Sequence, residues 1–180
     1  MAIEKEKKRK MYSSTTELQP TPGCTAGVIT VSDSCSRGER QDLSGPAVAT
    51  LLEKLGFQVT AREVIPDEAV QIQRTIIRLA RGVRLIVTTG GTGIAARDVT
   101  PEATAAVCQR LVDGVAERMR GEGAKKTPFA ALSRGLCGVC ENTLVLNLPG
   151  SPSGAVESFQ AVAELIPHAI ELLSGKTEHK

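Results

Sequence analysis

The fold of this chain is decided by the stretch "VRLIVTTGGTGIAARDVTPEAT", residues 83–104. It opens with a nearly continuous apolar run, 83–89, which is typical of a central strand covered on both faces. A long glycine-rich loop follows, and Thr100 and Pro101 then predict the cap and the first residue of a helix. Three apolar residues would form the buried side of that helix: Ala103, Val107 and Leu111. A strand, a loop and a helix in this order predict one unit of an α/β fold.

The chain before this stretch repeats the alternation of strands and helices. "AGVITVS" (26–32) predicts a buried strand, and the segment 44–55 predicts an amphipathic helix that ends at Gly56. "FQVTAREVI" (57–65) alternates like a half-buried strand, and Asp67 predicts the cap of a second amphipathic helix. Five apolar side chains would form the buried stripe of that helix: Val70, Ile72, Ile76, Ile77 and Leu79.

The chain after this stretch is expected to form a hairpin and a long helix. Asp113 is a candidate start for a short helix, and "GLCGVCENTLVLNLPG" (135–150) divides into two short strands around "EN". A final helix is predicted over 154–173, bent at Pro167. The whole order predicts a single α/β domain over 23–176, with a mostly parallel β-sheet and helices on both of its faces.

Composition and charge exclude some classes of function. With 180 residues, of which 41% are hydrophobic, the chain is long enough to bury one compact core. Aromatic residues make up only 2% of it, which disfavours nucleic-acid binding through stacked bases. The formal net charge is +2, but residues 1–10 alone carry five basic and two acidic side chains, so the remainder is near neutral. We therefore expect no nucleic-acid partner, a disordered basic and polar tail over 1–22, and a short tail over 177–180.

The apolar runs and the cysteines indicate the compartment. No apolar run has the length of a signal-peptide core or of a transmembrane helix, so we expect no membrane partner. Five cysteines, an odd number in a chain of this size, suit the reducing cytoplasm. Cys137 and Cys140 have the C-x-x-C spacing of zinc and redox sites but lack a second pair, so two buried or half-buried thiols on a strand are the favoured interpretation.

The glycine loop shares features with two phosphate-binding motifs and fits neither. Gly91, Gly93 and Ala96 match the dinucleotide fingerprint, but that fingerprint requires a helix to begin inside the motif. Pro101 places the predicted helix later. A P-loop would need Lys followed directly by Ser or Thr after the glycines, and no such pair is present here. What remains is a loop whose backbone N–H groups can approach a ligand, with the hydroxyl of Thr92 beside them.

An aspartate in such a loop has two interpretations. Asp98 either stabilises the loop by accepting hydrogen bonds from nearby N–H groups, or faces phosphate across a divalent cation. Asp67, in the "PDE" loop after the second strand, would then be the second carboxylate of the cation site, and otherwise it only caps a helix. Both loops follow the carboxyl ends of predicted parallel strands, where ligands bind in such sheets.

Five segments, in this order and spacing, point to one family. They are "GVITVSDSCSRGERQDLSGP", "IPDE", "TTGGTGIAARDVTPEAT", "TPFAALSR" and "LNLPGSP". Together they resemble the molybdopterin adenylyltransferases of molybdenum cofactor biosynthesis, including the G domain of gephyrin, over residues 24–175. The resemblance implies a molybdopterin-binding fold and a nucleotidyltransferase that moves AMP from Mg-ATP to the terminal phosphate of molybdopterin, releasing pyrophosphate.

The resemblance also implies roles for individual residues. The critical carboxylates of the family fall on Asp67 and Asp98, which we interpret as catalytic residues and as ligands of Mg²⁺. The other positions expected to contact molybdopterin or ATP lie in the loops: Ser32, Asp33, Gly90, Gly91, Thr92, Gly93, Ser133, Arg134, Pro149, Gly150 and Ser151. The family further implies a cytoplasmic homotrimer that hands its product to a molybdenum insertion enzyme. Two alternatives stay open here, a non-catalytic molybdopterin-binding module and a trimeric scaffold.

Overall fold

The computed structural model describes residues 23–175, so the predicted tails, 1–22 and 177–180, lie outside the described residues. The strands are β1 (Thr25–Val31), β2 (Gln58–Ile65), β3 (Leu85–Thr89), β4 (Arg110–Leu111), β5 (Cys137–Cys140) and β6 (Thr143–Leu148). The α-helices are α1 (Asp33–Ser36), α2 (Ser44–Lys54), α3 (Ala69–Ala80), α4 (Thr100–Ala105), α5 (Asp113–Ala124), α6 (Pro152–Gln160) and α7 (Ile166–Leu173). Two 3₁₀ helices cover Pro128–Leu132 and Ala163–Leu165.

The six strands form one sheet in the order β2-β1-β3-β6-β5-β4. The first four strands of this order run parallel, whereas β5 and β4 are antiparallel to their neighbours. Thr30 pairs with Thr89, and Thr89 pairs with Leu148, so three of the parallel strands end level with one another. The prediction of a mostly parallel α/β sheet is therefore confirmed.

Helices cover both faces of this sheet, as predicted. On one face, the buried side chains of α2, α5, α6 and α7 share a core with the strands, and Phe159 is the largest fully buried residue there. On the other face, Ile72 and Ile76 of α3 and Ala103 of α4 form the second core. Every residue of β3 is buried, because it lies in the centre of the sheet between the two layers. No helix in the described part of the chain has the length and apolar character needed to cross a membrane.

Several local predictions are confirmed. Helix α2 ends before Gly56, whose φ of +83° is the left-handed conformation that a helix terminator adopts and that glycine tolerates. The predicted hairpin consists of β5 and β6, joined at Glu141 and Asn142. Asp113 is the first residue of α5. The thiols of Cys137 and Cys140 are buried on β5.

Other local predictions were wrong. The final helix is not one bent helix: it breaks into α6 and α7, and the break precedes Pro167, which lies in the first turn of α7. Leu111 does not extend α4, because that helix ends at Ala105 and Leu111 belongs to the exposed strand β4. Two residues of the predicted stripe on α3, Val70 and Ile77, are exposed on its outer side.

Candidate active site

Four loops leave the sheet at the edge where the parallel strands end. They begin at Ser32 after β1, Pro66 after β2, Gly90 after β3 and Pro149 after β6. In open α/β sheets this edge is where ligands bind. Two cavities open there, a larger one of about 1000 Å³ and a smaller one of about 320 Å³. The larger volume is at the upper end of the range of small-molecule sites.

Most of the predicted site residues line these cavities. The larger cavity is lined by eight of them: Gly91, Thr92, Gly93, Asp98, Ser133, Pro149, Gly150 and Ser151. The smaller cavity is lined by four: Ser32, Gly90, Gly150 and Ser151. Asp33, Asp67 and Arg134 line neither of the two, although all three contact the loops that do. Gly150 and Ser151 belong to both cavities, so the two spaces meet at the Pro-Gly-Ser turn.

The boundary between the cavities is made of glycine backbone. A Cβ added to Gly150 would lie 3.2 Å from the Cα of Gly90, and one added to Gly90 would lie 2.3 Å from the carbonyl oxygen of Val31. Gly90 also has a φ of +93°, which L side chains rarely adopt. Glycine is therefore required at position 90 and tightly fitted at position 150, and no side chain separates the two cavities at this point.

The smaller cavity contains a carboxylate that our sequence analysis missed. Asp42 accepts hydrogen bonds from the Thr30 hydroxyl at 2.7 Å and from the backbone N–H of Gly45 at 3.0 Å. The buried hydroxyls of Ser44 and Thr89 continue this network, 2.9 Å from each other. Asp42 lies in the polar loop after β1. Its position just ahead of α2 was the sequence feature that could have identified it as a site residue.

Asp33 and Asp67 bind each other's backbone. The N–H of Asp33 donates to Oδ2 of Asp67 at 2.8 Å, and the N–H of Asp67 donates to Oδ1 of Asp33 at 3.1 Å. This pairing joins the loop after β1 to the loop after β2. It also corrects the prediction that Asp67 caps α3, because the cap position is Glu68 and no side chain bonds the helix end there.

The two carboxyl groups have pKa values shifted in opposite directions. Arg97 donates to both oxygens of Asp33, at 2.8 to 3.0 Å, and this hydrogen bonding lowers the pKa of Asp33. Burial raises the pKa of the Asp67 carboxyl, and the negative charges of Asp33 and Asp98 act in the same direction. Asp33 is thus neutralised by a specific partner, while Asp67 is a half-buried carboxylate without a cationic hydrogen-bond partner among residues 23–175.

Asp98 closes a tight turn in the glycine loop. Its Oδ2 accepts a hydrogen bond from the N–H of Ala95 at 2.8 Å and would lie 2.7 Å from a Cβ at Gly93. The loop-stabilising interpretation of Asp98 is therefore correct as far as Oδ2 is concerned. Oδ1 of Asp98 has no hydrogen-bond donor among residues 23–175, and the residue lines the larger cavity. One carboxylate oxygen thus shapes the loop, and the other is free to meet a ligand.

Arg134 holds the glycine loop from behind. Its Nε donates to the carbonyl of Gly93 and its Nη2 to the carbonyl of Asp98, both at 2.6 Å. Its Nη1 pairs with the carboxylate of Glu102, and its backbone N–H donates to the carbonyl of Thr92. One side chain therefore fixes both ends of the turn that contains Asp98.

The larger cavity is acidic. Its lining contains two basic side chains, Arg118 and Lys126, and four carboxylates. Arg118 pairs with Glu164, and Lys126 pairs with Glu157 at 2.9 Å, so both cations already have partners. A ligand with several negative charges would therefore enter this cavity more readily together with a cation.

Comparisons with known proteins agree with this architecture. Residues 27–168 match a domain family described as "Probable molybdopterin binding domain". The molybdopterin adenylyltransferase of Helicobacter pylori strain J99 is 40% identical over 156 residues, which cover 83% of this chain and 87% of that protein. The crystal structure of the molybdopterin biosynthesis enzyme MoaB from Thermus thermophilus superposes with a TM-score of 0.80 at 50% identity, covering 85% of this chain and 98% of that one.

One relative is a much longer protein. The Drosophila melanogaster molybdenum cofactor synthesis protein cinnamon is 42% identical over 152 residues, which cover 83% of this chain but only 25% of cinnamon. The sheet, the loops at its edge and these matches together show that the chain belongs to the molybdopterin-binding domain family of molybdenum cofactor biosynthesis.

Proposed function

We propose that the chain is a molybdopterin adenylyltransferase. A terminal phosphate oxygen of molybdopterin attacks the α-phosphorus of ATP, the bond from that phosphorus to the β-phosphate bridge breaks, and pyrophosphate leaves. The observation that carries this proposal is the pair of cavities that meet at the Gly90–Gly150 contact. A transfer between two substrates needs two spaces with a common boundary that lets the reacting phosphates approach, and bare glycine backbone provides one.

The glycine loop would bind phosphate in this reaction. Gly91, Thr92 and Gly93 line the larger cavity and would offer backbone N–H groups to it, whereas the N–H of Gly90 donates to the carbonyl of Leu148. Ser32 lines the smaller cavity. Ser133, Pro149 and Ser151 would line the sides of the bound substrates. Arg134 would act by positioning the loop, because its guanidinium bonds the carbonyls of Gly93 and Asp98.

The residues present fit Mg²⁺ held jointly with phosphate. Asp67 and Asp98 each have an Oδ1 without a hydrogen-bond donor among residues 23–175. No three His, Cys, Asp or Glu side chains in that range cluster as a complete metal site. Mg²⁺ is usually held by one or two carboxylates, phosphate oxygens and water, so Asp67 and Asp98 would be its protein ligands. The bound ion would offset the charge that develops on the departing pyrophosphate.

The test is pyrophosphate release from ATP by the purified full chain with Mg²⁺ and molybdopterin. We expect release that depends on both substrates and on the divalent cation, with adenylylated molybdopterin formed in equal amount. Binding of molybdopterin without pyrophosphate release would instead show a non-catalytic module.

We further propose that the protein works in the cytoplasm as a homotrimer that hands its product to a molybdenum insertion enzyme. The family resemblance supports this assembly, and exposed apolar side chains such as Val70 and Leu43 supply surface that a subunit contact would bury. Light scattering on the purified chain measures the mass directly, and a monomer at micromolar concentration would contradict the trimer.

A further inference from the structure

One buried hydroxyl beside the candidate site has no partner. Among residues 23–175, Thr100 Oγ1 is the one buried side-chain polar atom without a hydrogen bond, and Thr100 is 0% exposed. A buried hydroxyl left unpaired costs about 1–3 kcal/mol. Valine has nearly the same shape and would avoid this cost. The hydroxyl therefore does not contribute to stability through any protein contact within the described chain.

The position of this hydroxyl relates it to Asp67. A Cβ built at Gly91 would lie 2.3 Å from Thr100 Oγ1 and 3.1 Å from Asp67 Oδ1, so both oxygens flank the same face of Gly91. Oδ1 of Asp67 has no hydrogen-bond donor within residues 23–175, whereas Oδ2 accepts from the N–H of Asp33. A donor without an acceptor and an acceptor without a donor thus lie on either side of one glycine.

The backbone around these two oxygens is fixed. The N–H of Thr100 donates to the carbonyl of Gly91 at 3.1 Å, which ties the start of α4 to the glycine loop. Gly91 itself has a φ of +62°. Asp67 is held on its other side by the backbone of Asp33. A small oxygen ligand bound to both oxygens would satisfy these two groups, and because Thr100 Oγ1 is fully enclosed, its entry needs a small local displacement of the surrounding atoms.

We propose that Thr100 is a positioning residue for Asp67, with one water molecule bridging the Thr100 hydroxyl and Oδ1 of Asp67. The water accepts from the hydroxyl and donates to the carboxylate, so each previously unpaired atom gains one hydrogen bond. The carboxylate is thereby fixed in one rotamer. The catalytic meaning of this role rests on the proposed function, but the water itself does not.

The first experiment is structural and needs no substrate. High-resolution crystal structures of the ligand-free full chain and of Thr100→Val should show a water within hydrogen-bond distance of both oxygens in the wild type only. In the variant, the Asp67 carboxylate should rotate or occupy two conformers. A wild-type site without this water, or an unchanged carboxylate in the variant, overturns the proposal.

The second experiment separates positioning from stability. Thr100→Val should unfold at the same temperature as the wild type or higher, while kcat falls about tenfold, the effect of losing one hydrogen bond to a charged group, with little change in KM for molybdopterin. Thr100→Ser keeps the hydroxyl and should recover most of the turnover. In the absence of ATP, the affinity of the protein for Mn²⁺ should be lower in Thr100→Val than in the wild type, and unchanged in Thr100→Ser.

Thr104 offers a matched control on the same helix. Its hydroxyl is also fully buried, but it accepts a hydrogen bond from Asn147 Nδ2 at 3.0 Å. Thr104→Val should therefore lower the unfolding temperature and leave kcat and Mn²⁺ affinity close to wild type. A Thr100→Val protein that behaves like Thr104→Val would show a purely structural hydroxyl. Absence of pyrophosphate release in the wild type, with the bridging water present, would count against the proposed function only.

Discussion

The three aspartates of the site differ because of their immediate neighbours. Within the described part of the chain, the carboxylate of Asp33 is bound by Arg97, that of Asp98 by the N–H of Ala95, and that of Asp67 by the N–H of Asp33 alone. Of these three side chains, Asp67 and Asp98 thus keep one oxygen without a donor from residues 23–175. The sequence predicted both residues from the loops in which they lie. It could not predict that Arg97 pairs with Asp33 and not with Asp67, because this difference depends on contacts between residues that are 34 and 64 positions apart.

The first prediction concerns the charge of these two carboxylates. Asp98→Asn keeps an oxygen to accept from Ala95 but removes the negative charge, so turnover should fall at least about 10²-fold, equivalent to about 2.7 kcal/mol of barrier. Asp67→Asn should behave similarly. The double variant should lose much less than the product of the two effects, as groups acting as one unit do. Steady-state kinetics measures this, with circular dichroism as the folding control, and full activity of Asp98→Asn with unchanged Mg²⁺ dependence would contradict the assignment.

The second prediction concerns stability and pH. Because burial raises the pKa of Asp67 in the folded protein, its ionised form is less stable there than in the unfolded chain. The carboxylate therefore lowers stability at neutral pH, and this effect disappears as pH falls through the raised pKa. Asp67→Asn should unfold at a higher temperature than wild type at pH 7, and the difference should shrink in acid. Thermal melts across pH measure it; a difference that grows in acid would contradict the burial argument.

At the scale of secondary-structure elements, the glycine loop is held by a residue that follows it by some 40 positions. Arg134 lies after the 3₁₀ helix Pro128–Leu132 and returns to bond Gly93 at 2.6 Å. From the sequence, Arg134 is expected to contact molybdopterin or ATP, and that contact stays a prediction. The sequence did not reveal that the guanidinium bonds the carbonyls of the glycine loop.

The third prediction tests this clamp. Arg134→Gln should lower turnover about 10- to 100-fold through misplacement of the loop, although Arg134 lines neither cavity. Arg134→Lys keeps the charge but cannot reach both carbonyls and Glu102 at once, so it should remain impaired. Hydrogen exchange should accelerate at Gly93 and Ala95. Unchanged exchange together with wild-type turnover would show that the loop holds its shape alone.

Sequence reasoning succeeded for elements with strong local signals and failed where distant packing decides. The buried run before Gly90 and the terminator Gly56 carry their own signals, and both were predicted correctly. The break between α6 and α7 carries none, since helix-forming residues continue through it, and Pro167 suits the first turn of a new helix as well as a bend. Thr100 is the first residue of α4 rather than its cap, a shift of one position that places its hydroxyl in the interior.

At the scale of the whole molecule, the alternation of strands and helices predicted the α/β class, but not the strand order. That order depends on pairings such as β3 with β6, which join segments far apart in the chain. The antiparallel pair β5 and β4 forms the sheet edge away from β2. Its cysteines are therefore part of the packing of the sheet and not of the loops that form the cavities.

The fourth prediction concerns these cysteines. Burial raises the pKa of Cys137 to about 12, so its thiol stays protonated and is a poor metal ligand at neutral pH. Replacing both Cys137 and Cys140 by Ala should leave turnover within about twofold, while removal of buried sulfur lowers the unfolding temperature by a few degrees. Metal analysis of the wild type should find no stoichiometric zinc. One zinc per chain, lost in the double variant, would contradict this.

The contact between Gly90 and Gly150 also limits how such a protein can change over generations. Position 90 cannot accept a larger residue without displacing β1. A Cβ added at position 150 would lie 3.2 Å from the Cα of Gly90. Away from this contact each cavity is lined by its own side chains, such as Arg118 and Glu157 in the larger one and Gln41 in the smaller one, so each can adopt new substrates separately. The shared boundary cannot diversify in the same way. Descendants of this chain can therefore change their substrates more easily than they can lose the glycine boundary that brings two substrates together.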